Sequence, residues 1–171
     1  TSESKNIHGM PIAVALGQAK PPLSDLFDAN LYLKPHNLCM LGIRSYEAPE
    51  KALLEQLGVR VFYMEEIVKK GLQQCLQEAL VYLHPTQKNE LLMSIDLDVF
   101  RPEDAPGVTV PEPHGLEADT FIQAIKQHQA NILPYLSGVE IAEFSPQHDQ
   151  NNQTQDLIVN LLNSIWEPQP Q

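Results

Sequence analysis

Two aspartates, Asp96 and Asp98, are the residues of this sequence best suited to chemistry. They end an apolar run that predicts a buried strand, and side chains two positions apart on a strand point to the same side. Two poorly solvated carboxylates repel each other unless a cation lies between them. Because carboxylate oxygens suit hard divalent ions such as Mn²⁺ or Mg²⁺, the pair predicts a metal site. The alternative is that one aspartate caps a turn while the other is solvated.

Three further polar segments contain residues that can act on a substrate. His8, in NIHGMP, belongs to a residue type that serves as general acid or base near neutral pH, although a histidine beside a glycine is more often structural. Arg44, Glu47 and Glu50 follow the apolar run LCMLGI directly. Capping fully explains glutamates at the start of a helix. Glu143 comes at the end of the apolar segment 139–144 and before Ser-Pro.

The elements that would position these residues alternate between strand and helix patterns. Apolar runs predict strands over residues 38–43, 59–63, 91–99 and 139–144. Apolar residues at helical spacing predict helices over 48–57, 65–83, 117–129 and 153–166. This order predicts a three-layer α/β/α fold with a mainly parallel sheet. Ligands bind beyond the carboxyl ends of such strands, so Arg44, Asp96, Asp98 and Glu143 are expected at one rim. Residues 101–115, rich in Pro and Gly, form a stiff loop suited to be a pocket wall or a surface turn.

Composition excludes several classes of protein. With 171 residues and 43% hydrophobic residues, the chain is too apolar to be disordered. A net charge of -11 argues against a nucleic-acid binder, because a phosphate backbone needs a basic surface. No apolar run approaches the roughly 18 to 20 residues that a membrane span needs. Cys39 and Cys75, without a CxxC motif, exclude a disulfide scaffold and are typical of a reducing, cytoplasmic compartment.

Taken in order, these motifs resemble the carboxyl-terminal part of the ureohydrolase superfamily, which includes arginases, agmatinases and formimidoylglutamases. The matching segments are NIHGMP (6–11), LGIRS (41–45), SIDLDV (94–99), APG (105–107) and VEIAEFSP (139–146). Segment 43–67 looks most like bacterial arginase. The resemblance implies that residues 1–166 are the carboxyl-terminal portion of one catalytic domain, with a polar tail at 167–171. The three-layer fold is then expected to be incomplete on its amino-terminal side.

The resemblance also implies a two-manganese centre, which activates a hydroxide to attack a guanidinium or formimino carbon. Carried over by position, Asp96 and Asp98 match the family's last metal-binding pair. His8 matches the histidine thought to shuttle protons. Glu143 matches the acid that pairs with the substrate's guanidinium, a charge-assisted contact.

Other matched positions concern the far end of the substrate. Ser4 and Asn6 match residues that hold the carboxylate of an amino acid substrate. Glu47 and Glu50 fall where arginase places acids near the substrate's amino group. The expected partner is therefore a small cationic guanidino or formimino compound. The family resemblance further implies a homo-oligomer, a trimer or a hexamer.

The sequence departs from the family pattern at several positions. Arg101 replaces an acid in DxDxxDP, Val110 a threonine and His114 a glycine in GTGTPxxGG, and Lys5 a glycine in SGNxHG. The family's GGDH and DAHxD motifs, which supply its other metal ligands, do not occur in these 171 residues. In full-length relatives both motifs lie upstream of NIHGMP. Two of the usual six ligand positions are present.

Several functions stay open at this point. The first is an arginase-like enzyme, converting arginine to ornithine and urea as the full-length protein, with this chain alone nearly inactive. Formimidoylglutamase or agmatinase activity is the second. The third is a degenerate, non-catalytic homologue, and the fourth an unrelated α/β hydrolase that uses the aspartate pair for Mg²⁺.

Overall fold

The computed structural model describes residues 3–26, 28, 32–86 and 90–167. Most of the predicted tail at 167–171 therefore lies outside the described residues. In chain order the elements are α1 Pro11–Ala15, β1 Cys39–Ile43, α2 Ala48–Leu57, β2 Arg60–Tyr63, α3 Met64–Lys70, α4 Leu72–Leu83, β3 Leu91–Asp96, α5 Ala118–Ile132, β4 Leu136–Ala142 and α6 Gln153–Trp166. No helix within these ranges is long and apolar enough to cross a membrane.

The strands form two parallel pairs, β1 with β2 and β3 with β4. Each pair is a strand–helix–strand unit, because α2 follows β1 and α5 lies between β3 and β4. The predicted α/β fold with parallel strands is thus confirmed. Within the described ranges its strands belong to two two-stranded sheets.

Helices cover both faces of the β1–β2 pair. Phe62 belongs to the large core, which α3, α4, α5 and α6 share, whereas its neighbour Val61 packs in a smaller cluster with residues of α1 and α2. Successive residues of a strand point to opposite faces, so helices lie on each side. β3 differs, because Ile95 is buried while Leu92 on the other face is 73% exposed. Three layers are therefore complete only around β1 and β2 among the described residues.

Several predicted boundaries are wrong for local reasons. The helix predicted over 65–83 is two helices, because Gly71 adopts φ 87° and ψ 143°, outside the helical region. Apolar periodicity continues across this break since α3 and α4 pack on the same core. β3 ends at Asp96 instead of residue 99, and β4 starts earlier than predicted and ends at Ala142. The helix predicted over 117–129 extends to Ile132.

A bulge at Gly42 shapes the carboxyl end of β1. The register with β2 shifts between Leu41 and Ile43, and Gly42 has φ +81°. A Cβ atom at this position would stand 2.7 Å from Val99 Cγ2. Only glycine permits both the left-handed conformation and the close approach. The bulge therefore presses the end of β1 against the turn that follows β3.

We expect Gly42→Ala to destabilise the intact protein more than Gly58→Ala. Gly58 ends α2 at φ +73°, and nothing lies within 4 Å of the position that a Cβ atom would take there. Alanine at this position therefore costs only the strain of the left-handed backbone conformation, roughly 1–2 kcal/mol. Gly42→Ala adds the overlap with Val99, which costs about 1–3 kcal/mol more. Thermal denaturation followed by circular dichroism measures both losses. Equal losses would contradict the tight contact with Val99.

Candidate functional site

Asp96 and Asp98 lie at the carboxyl end of β3, but they do not share a strand. Leu97–Val99 forms a 3₁₀ turn, and the Asp96 carboxylate caps it by accepting the Asp98 backbone N–H at 3.1 Å. The prediction that both aspartates belong to one strand and point to the same side of it is therefore wrong, because β3 ends at Asp96. The sequence analysis also allowed one aspartate to cap a turn, and Asp96 does so. The two aspartates remain neighbours, because residues at positions i and i+2 lie close together in a turn as they do in a strand.

The Asp98 carboxyl is strongly perturbed. Burial raises its pKa to about 6, and the negative charge of Asp96 acts in the same direction. Arg44 opposes the rise, whereas Glu143 adds to it. Asp96 and Glu143 thus both act on the Asp98 carboxyl, in agreement with the single rim predicted from the ends of the strands. The burial of Asp98, reinforced by these two negative charges, is the main electrostatic feature of the site.

The donor chemistry of this pair fits a hard divalent cation. Carboxylate oxygens are ligands that Mn²⁺ and Mg²⁺ accept, and a cation between Asp96 and Asp98 would offset their repulsion. Within the described ranges, however, no three His, Cys, Asp or Glu side chains come together as a metal site needs. Among the described residues the pair would therefore supply only part of the donor set of such a site.

Glu143 follows β4 in a left-handed conformation, with φ 65°. It lines a cavity of about 560 Å³ that also takes in Thr109 of the 101–115 loop. The loop is joined to the segment after β4 through a bridge between Val108 and Phe144 and a bond from Ser145 N–H to the Gly107 carbonyl at 2.8 Å. The loop predicted as a pocket wall thus contributes to the wall of this cavity.

Arg101, which stands where the family pattern has an acid, holds the two ends of the loop together. Its guanidinium contacts Asp104 at 3.0 Å and Glu117 at 2.8 Å. Asp104 also accepts the backbone N–H of Ala118, the first residue of α5, at 3.0 Å. A charge network therefore fixes the loop against the start of α5. The role of Arg101 in the described structure is structural.

Arg44 has contacts that the sequence did not reveal. Its guanidinium donates to three backbone carbonyls, those of Asp98, Glu112 at 2.8 Å and Pro113 at 2.9 Å. The sequence placed Arg44 at the rim because it directly follows β1, but no sequence pattern indicated a partner for it. These partners lie 54 to 69 residues away along the chain.

Glu47 and Glu50 are occupied at the start of α2. Glu50 accepts the Glu47 backbone N–H at 2.9 Å, as in a capping box. Glu47 accepts the backbone N–H of Ser4 at 3.0 Å and that of Glu3. Capping and anchoring of the preceding segment thus account for both carboxylates in the structure. Their role at a substrate's amino group stays a prediction.

His8, Ser4 and Asn6 are exposed on the amino-terminal segment. His8 lies in the 3₁₀ turn Ile7–Gly9, and the Asn6 N–H donates to Ser4 Oγ at 3.3 Å. The bonds that hold this segment run to the start of α2, and among the described residues none joins it to Asp96 or Asp98. The proton-shuttling and carboxylate-binding roles of these residues therefore stay predictions.

In the intact protein freed of metal by a chelator, Asp98→Asn should raise the thermal midpoint more at pH 7.5 than at pH 4.5. The folded pKa of about 6 exceeds the ordinary value, near 3.9. Ionisation of Asp98 therefore costs stability above about pH 6 and costs nothing below about pH 4. Asparagine removes this charge at similar size. The exposed Asp119→Asn serves as the control, with the same small change at both pH values. An equal gain for Asp98→Asn at both would refute the assignment.

Comparison with known proteins places this geometry in context. The Arginase family model matches residues 1–166. The chain is 35% identical to arginase of Bacillus subtilis over 169 residues, covering 96% of this chain and 54% of that protein. Arginase of Bacillus caldovelox is 31% identical, with 97% and 54% covered. The chain thus spans about half the length of the curated relatives it matches.

Solved structures agree with the sequence comparison. The structure of Bacillus caldovelox arginase matches all of this chain and 56% of its own, with a TM-score of 0.90 and 30% identity. Formimidoylglutamase from Bacillus subtilis matches 84% of this chain with a TM-score of 0.72 and 27% identity. The family match over residues 1–166, together with these relatives, shows that the chain belongs to the arginase family.

Proposed function

We propose that the whole protein is a manganese-dependent arginase, which hydrolyses arginine to ornithine and urea. Membership of the arginase family supports hydrolysis of a guanidino compound. The relatives with the higher TM-scores are named arginases, which favours arginine as the substrate. The single observation that carries the proposal is the half-buried Asp98 carboxylate beside Asp96, facing the charge of Glu143.

Manganese fits this carboxylate pair by donor chemistry. Oxygen ligands suit Mn²⁺, and its charge would offset both the burial of the Asp98 carboxylate and the repulsion from Asp96, which together raise the pKa of Asp98. When bound, Mn²⁺ supplies Lewis-acid polarisation and lowers the pKa of coordinated water. Asp96 and Asp98 would each give a carboxylate oxygen. The further donors that a two-metal centre needs would have to come from parts of the protein beyond the described residues.

Glu143 is the residue we assign to the cationic group of the substrate. A guanidinium binds a carboxylate through two parallel N–H···O bonds, which fixes orientation as well as charge. Glu143 lines the 560 Å³ cavity, a volume in the range of small-molecule sites. The net charge of -11 adds a field that favours a cation over an anion.

The remaining predicted roles complete the proposal. His8 moves protons, Ser4 and Asn6 hold the carboxylate of the substrate, and Glu47 with Glu50 lies near its amino group. Support for the last two comes from their position shortly after β1, three and six residues beyond Arg44, which contacts the Asp98 turn. Two free cysteines among the described residues support a reducing, cytoplasmic location. We also propose a homo-oligomer, a trimer or a hexamer.

Formimidoylglutamase activity is a second candidate. The match to the Bacillus subtilis formimidoylglutamase structure and the APG segment at 105–107 support it. A non-catalytic role is supported by Val110 and His114. Arg101 no longer supports it, because its ion pairs give this residue a structural function.

The intact protein with Mn²⁺ should release urea from arginine, and Glu143→Gln should lower kcat/KM about tenfold to hundredfold, since a hydrogen bond to a charged group contributes about 1.5–3 kcal/mol. The matched control is Glu140→Gln, because Glu140 lies three residues earlier and already accepts the Ser94 hydroxyl at 2.6 Å. Steady-state urea release with arginine, agmatine and formimidoylglutamate measures both effects.

Three outcomes would separate the candidates. Ammonia or formamide release from formimidoylglutamate, with no urea from arginine, would favour the second candidate. Equal losses in Glu143→Gln and Glu140→Gln would refute the role given to Glu143. An intact protein that binds no Mn²⁺ and turns over none of the three substrates would refute the enzyme itself.

A further inference from the structure

Arg44 joins three separate segments at the rim. It follows β1, and it bonds to the Asp98 carbonyl in the turn after β3 and to the Glu112 and Pro113 carbonyls in the loop. One side chain thus connects the strand end, the carboxylate turn and the pocket wall. The partners are all main-chain oxygens, so the contacts fix backbone positions and leave the side chains of these residues free.

The geometry of the group explains why arginine stands here. A guanidinium carries five N–H donors in a rigid plane, and it stays charged at any pH the protein meets. The Arg44 Nε–H donates to the Pro113 carbonyl, while one terminal nitrogen donates to the carbonyls of Asp98 and Glu112. An ammonium is a compact point charge on a flexible stem, so it cannot reproduce this planar arrangement.

Other contacts hold the two ends of the loop and its centre, where Gly107 and Val108 join the segment after β4. At the start and end, Leu116 N–H donates to Val99 at 2.8 Å and Arg101 N–H donates to Leu116 at 3.0 Å. Gly115 lies so close to Phe100 that a Cβ would meet its backbone at 2.4 Å. The contacts of Arg44 fall just before this point, at residues 112 and 113. They therefore fix the part of the wall nearest to the Asp98 turn.

We propose that Arg44 is a positioning residue, which sets the Asp98 turn and the 109–115 wall in place relative to each other through three backbone carbonyls. This inference rests on the proposed function, because it gives Arg44 its importance through the metal-binding carboxylate of Asp98. Residues that hydrogen-bond to metal ligands without touching the metal help to orient those ligands. Their loss typically weakens metal binding about tenfold to hundredfold.

The test uses Arg44→Lys in the intact protein, with Arg60→Lys as the matched control. Lysine keeps the charge near Asp98 and removes the planar donor set, so the change isolates geometry. Arg60 is also half-buried, but it is the first residue of β2, and its guanidinium pairs with the Glu66 carboxylate at 2.6 Å. Mn²⁺ binding by titration calorimetry and hydrogen exchange of residues 109–116 by mass spectrometry are both measured, beside the thermal midpoint.

Arg44→Lys should bind Mn²⁺ about tenfold more weakly, with faster exchange at 109–116, and a cooperative thermal transition shows that the variant is folded. Arg60→Lys should leave affinity and exchange as they are. Wild-type affinity or unchanged exchange in Arg44→Lys would overturn the inference while the proposed function stands. If the wild-type protein binds no Mn²⁺, the proposed function fails, and the role of Arg44 toward the metal is overturned with it. Should Arg44→Lys fail to fold, Arg44→Gln, which keeps two N–H donors, is judged by the same outcomes.

Discussion

The burial of the Asp98 carboxyl beside a second carboxylate, at the end of β3, is the constraint on which the arrangement of the rim depends. Burial raises the pKa of Asp98 to about 6, and the negative charge of Asp96 adds to the rise. A fold keeps such an arrangement only when the surrounding backbone leaves the side chains no easier position. Here the Gly42 bulge, the cap at Asp96 and the guanidinium of Arg44 all act on the same short turn.

The secondary structure was largely predictable where local signals decide it. The α2 and α6 bounds match the prediction because proline and glycine mark the ends of α2, and apolar spacing marks α6. The α3–α4 break was missed, because periodicity reports which face is buried and not the φ angle of Gly71. The end of β3 was missed for a related reason, since a side-chain cap stops the strand and alternation of residue types does not show it.

The placement of Asp98 and Glu143 at one rim was predictable from the sequence, whereas the contacts that hold this rim together were not. Resemblance located Asp98 and Glu143, and the rule for parallel strands placed both at one rim, where their charges interact. In the sequence, Arg101 was only a departure from the family pattern. Its ion pairs with Asp104 and Glu117 can be recognised only once the fold brings these residues together. The three carbonyls bound by Arg44 depend on how distant segments meet, which no local pattern encodes.

The open face of β3 has a consequence for the strength of the site. Leu92, Ser94 and Asp96 lie on this face, and all three are exposed in the described structure. Any layer placed over Leu92 would also remove water from the neighbourhood of Asp96. Electrostatic interactions grow as the local dielectric constant falls, so each charge at the rim would act more strongly on its neighbours. The proposed affinity of the rim for a cation would therefore depend on the covering of an apolar surface as much as on the acids themselves.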